Sequence, residues 1–390
     1  MSTNKSVVIG AGIAGIRTAV ELAEAEHVVY LLESSPYIGG TLPQLDKQFP
    51  SDDCGMCKIL PSMGDDCSEF CFRRGAYHKN VELITDADLV GLSGHAGNFK
   101  AQIKKNPAYV KADKCIACGD CAAVCEVDVP MASDKANPRK AIYIKYPLAY
   151  PNVFTIDEKS CSRCGKCVDV CPTKAIDLEA TDEELELAVG AIVLSMGFNK
   201  TYDEIRKEYG YAHYENVVTS NELEQALTVI EPTQGVAHRL AQEAPKVAFL
   251  QCVGSREDER NFCSAACCMI ALKEAVMLKE MNPKTEVKIF YMDMRAYGKG
   301  YHRYLNRAKE LGVEFIRSRV SHVEEQPNKD LEIRYTTEDD RSLKERLDVV
   351  VLSVGQTPSK KVGELSRVLG IELNDFGFCK TLPFSMVETT

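Results

Sequence analysis

Apolar residues fall along this chain in two rhythms. Short unbroken runs at Val7–Ile9, His27–Leu32, Gly190–Phe198, Lys246–Leu250 and Asp348–Gly355 read as strands buried on both faces. Between them the spacing changes. From Ile13 to Ala25, and again from Cys263 to Lys279, apolar positions recur with helical period, which predicts a helix over each stretch. Strands alternating with helices predict an α/β chain built on parallel sheets.

The first strand runs into Gly10-Ala11-Gly12-Ile13-Ala14-Gly15, the pattern G-x-G-x-x-G, and the next strand is followed by Glu33. A lone glycine pattern is weak evidence. Between strand and helix, with an acid 23 positions after Gly10, it is the full dinucleotide fingerprint. The glycines let backbone approach a pyrophosphate at the helix N-terminus, and Glu33 can accept from ribose hydroxyls. A glycine-rich turn in an ordinary βαβ unit is the plainer reading. Gly39-Gly40 follows as in flavoproteins of the thioredoxin-reductase type, so FAD is expected rather than NAD. The runs ending at Phe198 and Gly355 resemble the strands by which such flavoproteins leave one dinucleotide domain and re-enter the other.

Cysteine then changes the picture. Of 17 cysteines, Cys115, Cys118, Cys121 and Cys125 are spaced C-x2-C-x2-C-x3-C, and Cys161, Cys164, Cys167 and Cys171 repeat that spacing before Pro172. Bacterial two-cluster ferredoxins use this run, the fourth cysteine of each quartet serving the other cluster. Read so, one [4Fe–4S] cubane takes Cys115, Cys118, Cys121 and Cys171; the other takes Cys161, Cys164, Cys167 and Cys125. Zinc is the alternative, but its sites pair C-x2-C units across longer spacers. The segment lies between the first dinucleotide run and its return, with Pro107, Pro138, Pro147 and Pro151 at its edges. The expected fold is therefore two Rossmann-like domains of thioredoxin-reductase type with an inserted two-cluster ferredoxin domain. Expected boundaries are 1–103, 104–178 (the insertion), 179–243 (return and linker), 244–355 (second Rossmann-like domain) and 356–390 (return to the FAD domain).

The second Rossmann-like domain lacks a glycine fingerprint. Its first strand runs into Gln251-Cys252, then Cys263, Cys267 and Cys268, the spacing C-x10-C-x3-C-C. On a helix from Cys263 to Lys279, Cys267 would share a face with Cys263. Adjacent cysteines seldom both serve one cubane from a regular helix, so a distorted cluster is expected; buried inert thiols are the plainer alternative. A fourth quartet, Cys54, Cys57, Cys67 and Cys71, suits a metal or cluster, a redox dithiol, or inert thiols alike. Cys379 is left over and reads as a plain buried thiol.

With these residues in view, the chain closely resembles the A subunit of heterodisulfide reductases and the A-like proteins of anaerobes. The likeness rests on Gly10–Gly15 with Glu33, the stretch Gly39 to Pro50, the paired cysteine quartets, and Gln251 to Lys273. It implies a flavin- and cluster-containing oxidoreductase subunit that splits an electron pair, one electron uphill and one downhill. It also implies a catalytic cation, Lys273, near the flavin N5, where it would favour a negatively charged reduced flavin. By itself a lysine here reads as part of a solvated helix face. The third cubane would replace the nicotinamide as the flavin's redox partner. Implied partners are other redox subunits, of the heterodisulfide reductase B and C type or from hydrogenases and dehydrogenases, in an oligomeric complex. In the family a strand–turn–helix follows the segment Phe384–Thr390 and completes the FAD site, from the same chain or from a partner. Two other readings stand beside this one. They are an NAD(P)H-dependent iron–sulfur flavoprotein of the glutamate-synthase small-subunit type, and a flavin-poor electron relay.

Bulk properties set outer limits. A chain of 390 residues has room for two or three domains. With Lys+Arg 47 against Asp+Glu 57, net charge −10, nucleic acid is a poor partner. No apolar run approaches the roughly 18 residues of a spanning helix, so no integral membrane segment is expected. So many thiols with no apolar leader point to the cytoplasm.

Overall fold

The computed structural model describes residues 4–45, 47, 78–130, 138–145, 149–200, 209–227, 235–385 and 387–389. The described residues fall into two compact units. One lies within Met1–Pro43, Cys57–Gly197 and Pro358–Thr390, the other within Gln44–Met56 and Phe198–Thr357.

In the first unit, strands β1 (Lys5–Ile9), β2 (Val28–Glu33) and β3 (Val81–Thr85) form one parallel sheet with a later strand, β7 (Ala191–Leu194). Strand β7 pairs with the outer side of β1. Val7, Val8, Val29 and Leu31 are essentially fully buried, as expected of parallel strands covered on both faces. Helix α1 (Ile13–Glu24) covers one face, burying Gly15, Ile16, Ala19 and Ala23, a stripe at helical period. Between β3 and β7 in the chain, strands β4 (Ala87–His95), β5 (Asn98–Lys105) and β6 (Glu183–Val189) make an antiparallel sheet.

Because β5 and β6 are direct partners, the chain leaves at Lys105 and returns at Glu183 with its ends side by side. The residues between them have a small core of their own, built on Val110, Cys121, Ile142, Cys167, Ala175 and Ile176. The C-terminal stretch also belongs to this unit. Leu365 packs in the same core as Val7 and Ile9, and Lys361 Nζ meets the Asp88 carboxylate at 2.6 Å and 2.7 Å.

The second unit holds a five-stranded parallel sheet. Its strands in chain order are β8 (Val217–Thr219), β9 (Lys246–Val253), β10 (Glu286–Tyr291), β11 (Glu314–Arg317) and β12 (Val349–Val354), and β12 lies between β8 and β9. All six residues of β12 are buried. An antiparallel three-stranded sheet, Val320–Glu325, Leu331–Thr336 and Ser342–Leu347, completes the unit.

The helix predicted over Cys263–Lys279 begins later, at Cys267, and ends at Met281. Ala265 takes φ +54, a left-handed conformation that cannot continue a right-handed helix, and Ala266 is the N-cap. Cys263 therefore precedes the helix and is exposed, so it does not share a helical face with Cys267. The helix is buried from Cys268 through Leu278 with only Ile270 partly open, which is why its pattern is apolar nearly all round. Cys379, expected to be buried, is half-exposed.

Candidate functional site

Only Gly10–Gly12 separate β1 from α1. Gly10 takes φ +99, and a Cβ on it would run into the carbonyl oxygen of Ser195; a Cβ on Gly15 would run into that of Gly10. These two glycines are demanded by the turn itself. Gly12 differs, because a Cβ there would meet nothing within 4 Å among the described residues. It is the N-cap of α1, no side chain caps it, and the first turn holds no acid. The first N–H groups, around exposed Ala14, thus meet open space with the helix's partial positive charge behind them. That is a cradle shaped for a pyrophosphate.

Gly39 and Gly40 close its other side. The Gly39 N–H donates to the Ala11 carbonyl at 2.7 Å, and a Cβ on Gly40 would stand 3.2 Å from the Gly12 Cα. Glu33 accepts from the backbone N–H groups of Ala11 and Ser35, each at 2.8 Å. Each carboxylate oxygen keeps acceptor capacity for a ribose hydroxyl.

A residue that no motif signals joins this site. The Tyr37 hydroxyl lies 3.1 Å and 2.8 Å from the carbonyl oxygens of Tyr143 and Val153, and the Ile38 N–H donates to the Tyr150 carbonyl at 2.9 Å. The loop after Glu33 is thereby stitched to the cysteine-bearing segment, and Lys145, surface-exposed on that segment, lies within electrostatic range of Glu33. Desolvation pushes the Lys145 ammonium below its ordinary range, and the Glu33 charge partly opposes that.

The two regular quartets fold as near copies. Ala117 and Arg163, each two residues after the first cysteine, take φ +54 and +53; Gly119 and Gly165 follow at φ +93 and +80. Each glycine caps a short helix, Asp120–Ala123 or Lys166–Val170. Cys118 and Cys164 are exposed, Cys121 and Cys167 buried, and the other four intermediate. Cys125, Cys161, Cys164 and Cys167 line one small cavity of about 20 Å³, so the fourth cysteine of the first quartet stands with the first three of the second. The thiols ring this space; among the described residues, no three His, Cys, Asp or Glu side chains converge on a single-ion site. Burial holds the Cys121 thiol up at about 12 and raises Cys167, whereas the Lys166 amide lowers exposed Cys164.

In the second unit, residues 254–266 intervene where the first unit has a tight glycine turn. The register between β9 and β12 shifts from Leu250 to Val253, and Cys252 within that irregularity takes φ +62. A bulge of this kind re-aims the side chain at the strand's end. The Cys263 loop reproduces the ferredoxin turn. The Ala265 N–H, at φ +54, donates to Cys263 Sγ at 3.4 Å, as the Arg163 N–H, at φ +53, donates to Cys161 Sγ at 3.4 Å. Cys267 and Cys268 open the long helix, whose N-terminal partial charge favours thiolates.

Charge coupling links all four thiols. Burial raises Cys267 to about 12 and Cys268 to about 11, with Cys252 and Cys263 adding to both, so a thiolate at either of these two positions calls for a cation beside it. Gln251 beside them is buried; its Nε2 donates to Ser353 Oγ at 2.9 Å, and its Oε1 has no partner among the described residues.

Lys273 is not on a solvated face. It is 2% exposed, its Nζ pairs with the fully buried Glu224, and it donates to the Lys47 carbonyl at 2.9 Å. Glu224, on the helix Ser220–Leu227, carries no motif that would single it out in the sequence. Cys54, Cys57, Cys67 and Cys71 lie outside the described residues.

Comparison with known proteins agrees with these features. Residues 5–43 match the FAD binding domain family, and residues 114–175 and 154–218 match two 4Fe-4S dicluster domain families. This defines an iron–sulfur flavoprotein. The chain is 42% identical over 387 residues to the iron–sulfur A subunit of the CoB–CoM heterodisulfide reductase of Methanocaldococcus jannaschii, covering 96% of this chain and 57% of that protein. It is 38% identical over 385 residues to the A subunit of the H2:CoB-CoM heterodisulfide,ferredoxin reductase of Methanothermobacter thermautotrophicus, with the same coverage of both chains. It belongs to the heterodisulfide reductase A-subunit family of iron–sulfur flavoproteins. The chain spans about half the length of these relatives. Among solved structures, the thioredoxin reductase of T. acidophilum matches with TM-score 0.48 at 12% identity, over 99% of this chain and 87% of that one. No helix among the described residues is long and apolar enough to cross a membrane.

Proposed function

We propose that the chain is an oxidoreductase subunit that takes electron pairs at FAD and passes them on singly, bifurcating them between partner redox subunits. The observation that carries this is the contrast between the two units. One presents an open glycine cradle for a dinucleotide; the other fills the equivalent strand-to-helix turn with Cys252, Cys263, Cys267 and Cys268. A chain with both a pair carrier and single-electron carriers can convert one currency of electrons into the other.

Gly10, Gly12, Ala14, Gly15, Glu33, Gly39 and Gly40 would hold FAD. The segment between β5 and β6 would be the inserted ferredoxin, with one cubane on Cys115, Cys118, Cys121 and Cys171 and another on Cys161, Cys164, Cys167 and Cys125. The shared cavity at the second set supports this exchange of fourth ligands. A third cubane would use Cys252, Cys263, Cys267 and Cys268, supported by the ferredoxin-like turn at Cys263. Lys273, held by Glu224, is the proposed catalytic cation. The partners are redox subunits like those of the relatives' complexes, and the cytoplasm is the proposed setting.

The test is an anaerobic assay of the chain with its co-purified partners. One two-electron donor should reduce a low-potential and a high-potential acceptor in strict one-to-one coupling. Reduction of either acceptor alone overturns bifurcation, and a preparation with iron but no flavin favours the bare relay instead.

A further inference from the structure

Around the irregular cysteines lies a charged clamp that the mechanism above does not use. The Asp293 carboxylate accepts from Arg256 at 2.6 Å and 3.2 Å and from Arg295 at 3.0 Å and 3.1 Å, so one acid fixes two guanidinium groups. Arg256 in turn favours negative charge on Cys252, and Arg295 feels the charge of Cys263. The same turn reaches a third thiol. Cys268 Sγ lies 3.9 Å from the Asp293 carbonyl, and the backbone amide of Arg295 favours negative charge on that sulfur. Arg256 holds φ +61, and its N–H donates to the Arg260 carbonyl at 2.8 Å, which sets the direction of its side chain.

We infer that Asp293 is a positioning residue. It holds Arg256 and Arg295 against the cysteines so that a cubane there is easier to reduce than an unassisted one. An oxidised cubane with four thiolates carries about two negative charges, and reduction adds one more. Two guanidinium groups against one carboxylate leave a net positive charge beside the sulfurs. N–H groups aimed at cluster sulfurs raise the potential further. The unit would thereby draw single electrons toward this cluster. The inference rests on the third-cubane reading.

The experiment is an EPR-monitored redox titration of the full chain, with iron content measured on each sample. The relevant signal is the one lost in Cys267→Ser. If Cys267→Ser loses neither iron nor any signal, the cubane reading fails before the clamp is tested. Given that signal, Arg256→Gln should keep its iron and shift the midpoint to more negative potential, and Arg256→Lys should recover most of the shift. Asp293→Asn should also shift it negative although the substitution removes a negative charge, because the guanidinium groups lose their anchor. An unmoved midpoint in Arg256→Gln, or a positive shift in Asp293→Asn, overturns the inference. If Arg256→Gln sheds iron, Arg256→Lys decides: iron retained with a near-native midpoint upholds the clamp, and iron lost there too makes Arg256 a mere brace.

Discussion

Gly12 and Lys145 separate binding from folding at the scale of single residues. A Cβ at Gly12 would meet no atom of the described residues within 4 Å, so Gly12→Val should leave the melting temperature nearly unchanged while abolishing flavin retention. Unchanged flavin content after anaerobic purification would place the cofactor elsewhere. Lys145→Gln should weaken FAD rebinding to the apoprotein roughly tenfold, since a charge-assisted hydrogen bond contributes about 1.5 kcal/mol. Iron content should not move; equal affinity in a fluorescence titration would remove Lys145 from the site. Gly10 and Gly15 could be read from the motif, because local turn geometry demands them. Lys145 could not, because 112 positions and a folded segment separate it from Glu33.

Among elements, the cysteine turns are the informative ones. Ala117, Arg163 and Ala265 all sit in the left-handed region two residues after a cysteine. A non-glycine residue there costs about 1–2 kcal/mol, and a β-branched one more. Ala265→Val should therefore lose roughly four irons per chain, one [4Fe–4S] cluster, while Ala265→Gly should keep them. Iron retained in Ala265→Val would mean that the turn is not a cluster loop. The long helix starting at Cys267 is an element of another kind, packed tightly through its middle. Leu272, fully buried in that core, should cost about 2–5 kcal/mol when cut to Ala, measured by denaturant unfolding. A cost below about 1 kcal/mol would contradict its packing.

For the whole molecule, the missing glycine turn of the second unit has a direct consequence. Gln251 and Cys252 stand where a pyrophosphate would need bare backbone, so NADH or NADPH alone should not bleach the flavin anaerobically. Rapid bleaching without a partner protein would revive the glutamate-synthase-type reading.

Sequence alone was enough for whatever depends on neighbours a few residues apart. The parallel strands at Val7–Ile9, His27–Leu32, Gly190–Phe198, Lys246–Leu250 and Asp348–Gly355, the fingerprint at Gly10–Gly15, and the spacing of the two quartets are all short-range patterns, set by backbone sterics and side-chain burial. The start of the second-unit helix falls elsewhere than the pattern predicts, because helical periodicity cannot register a single left-handed residue at Ala265. Tertiary structure alone decided what depends on distant segments meeting. It brought Glu224 to Lys273 and set Lys145 within electrostatic range of Glu33. It also brought the Asp293 carboxylate to Arg256. Each of these pairs opposite charges across long stretches of chain, and only the packing of the completed core sets which of them come together.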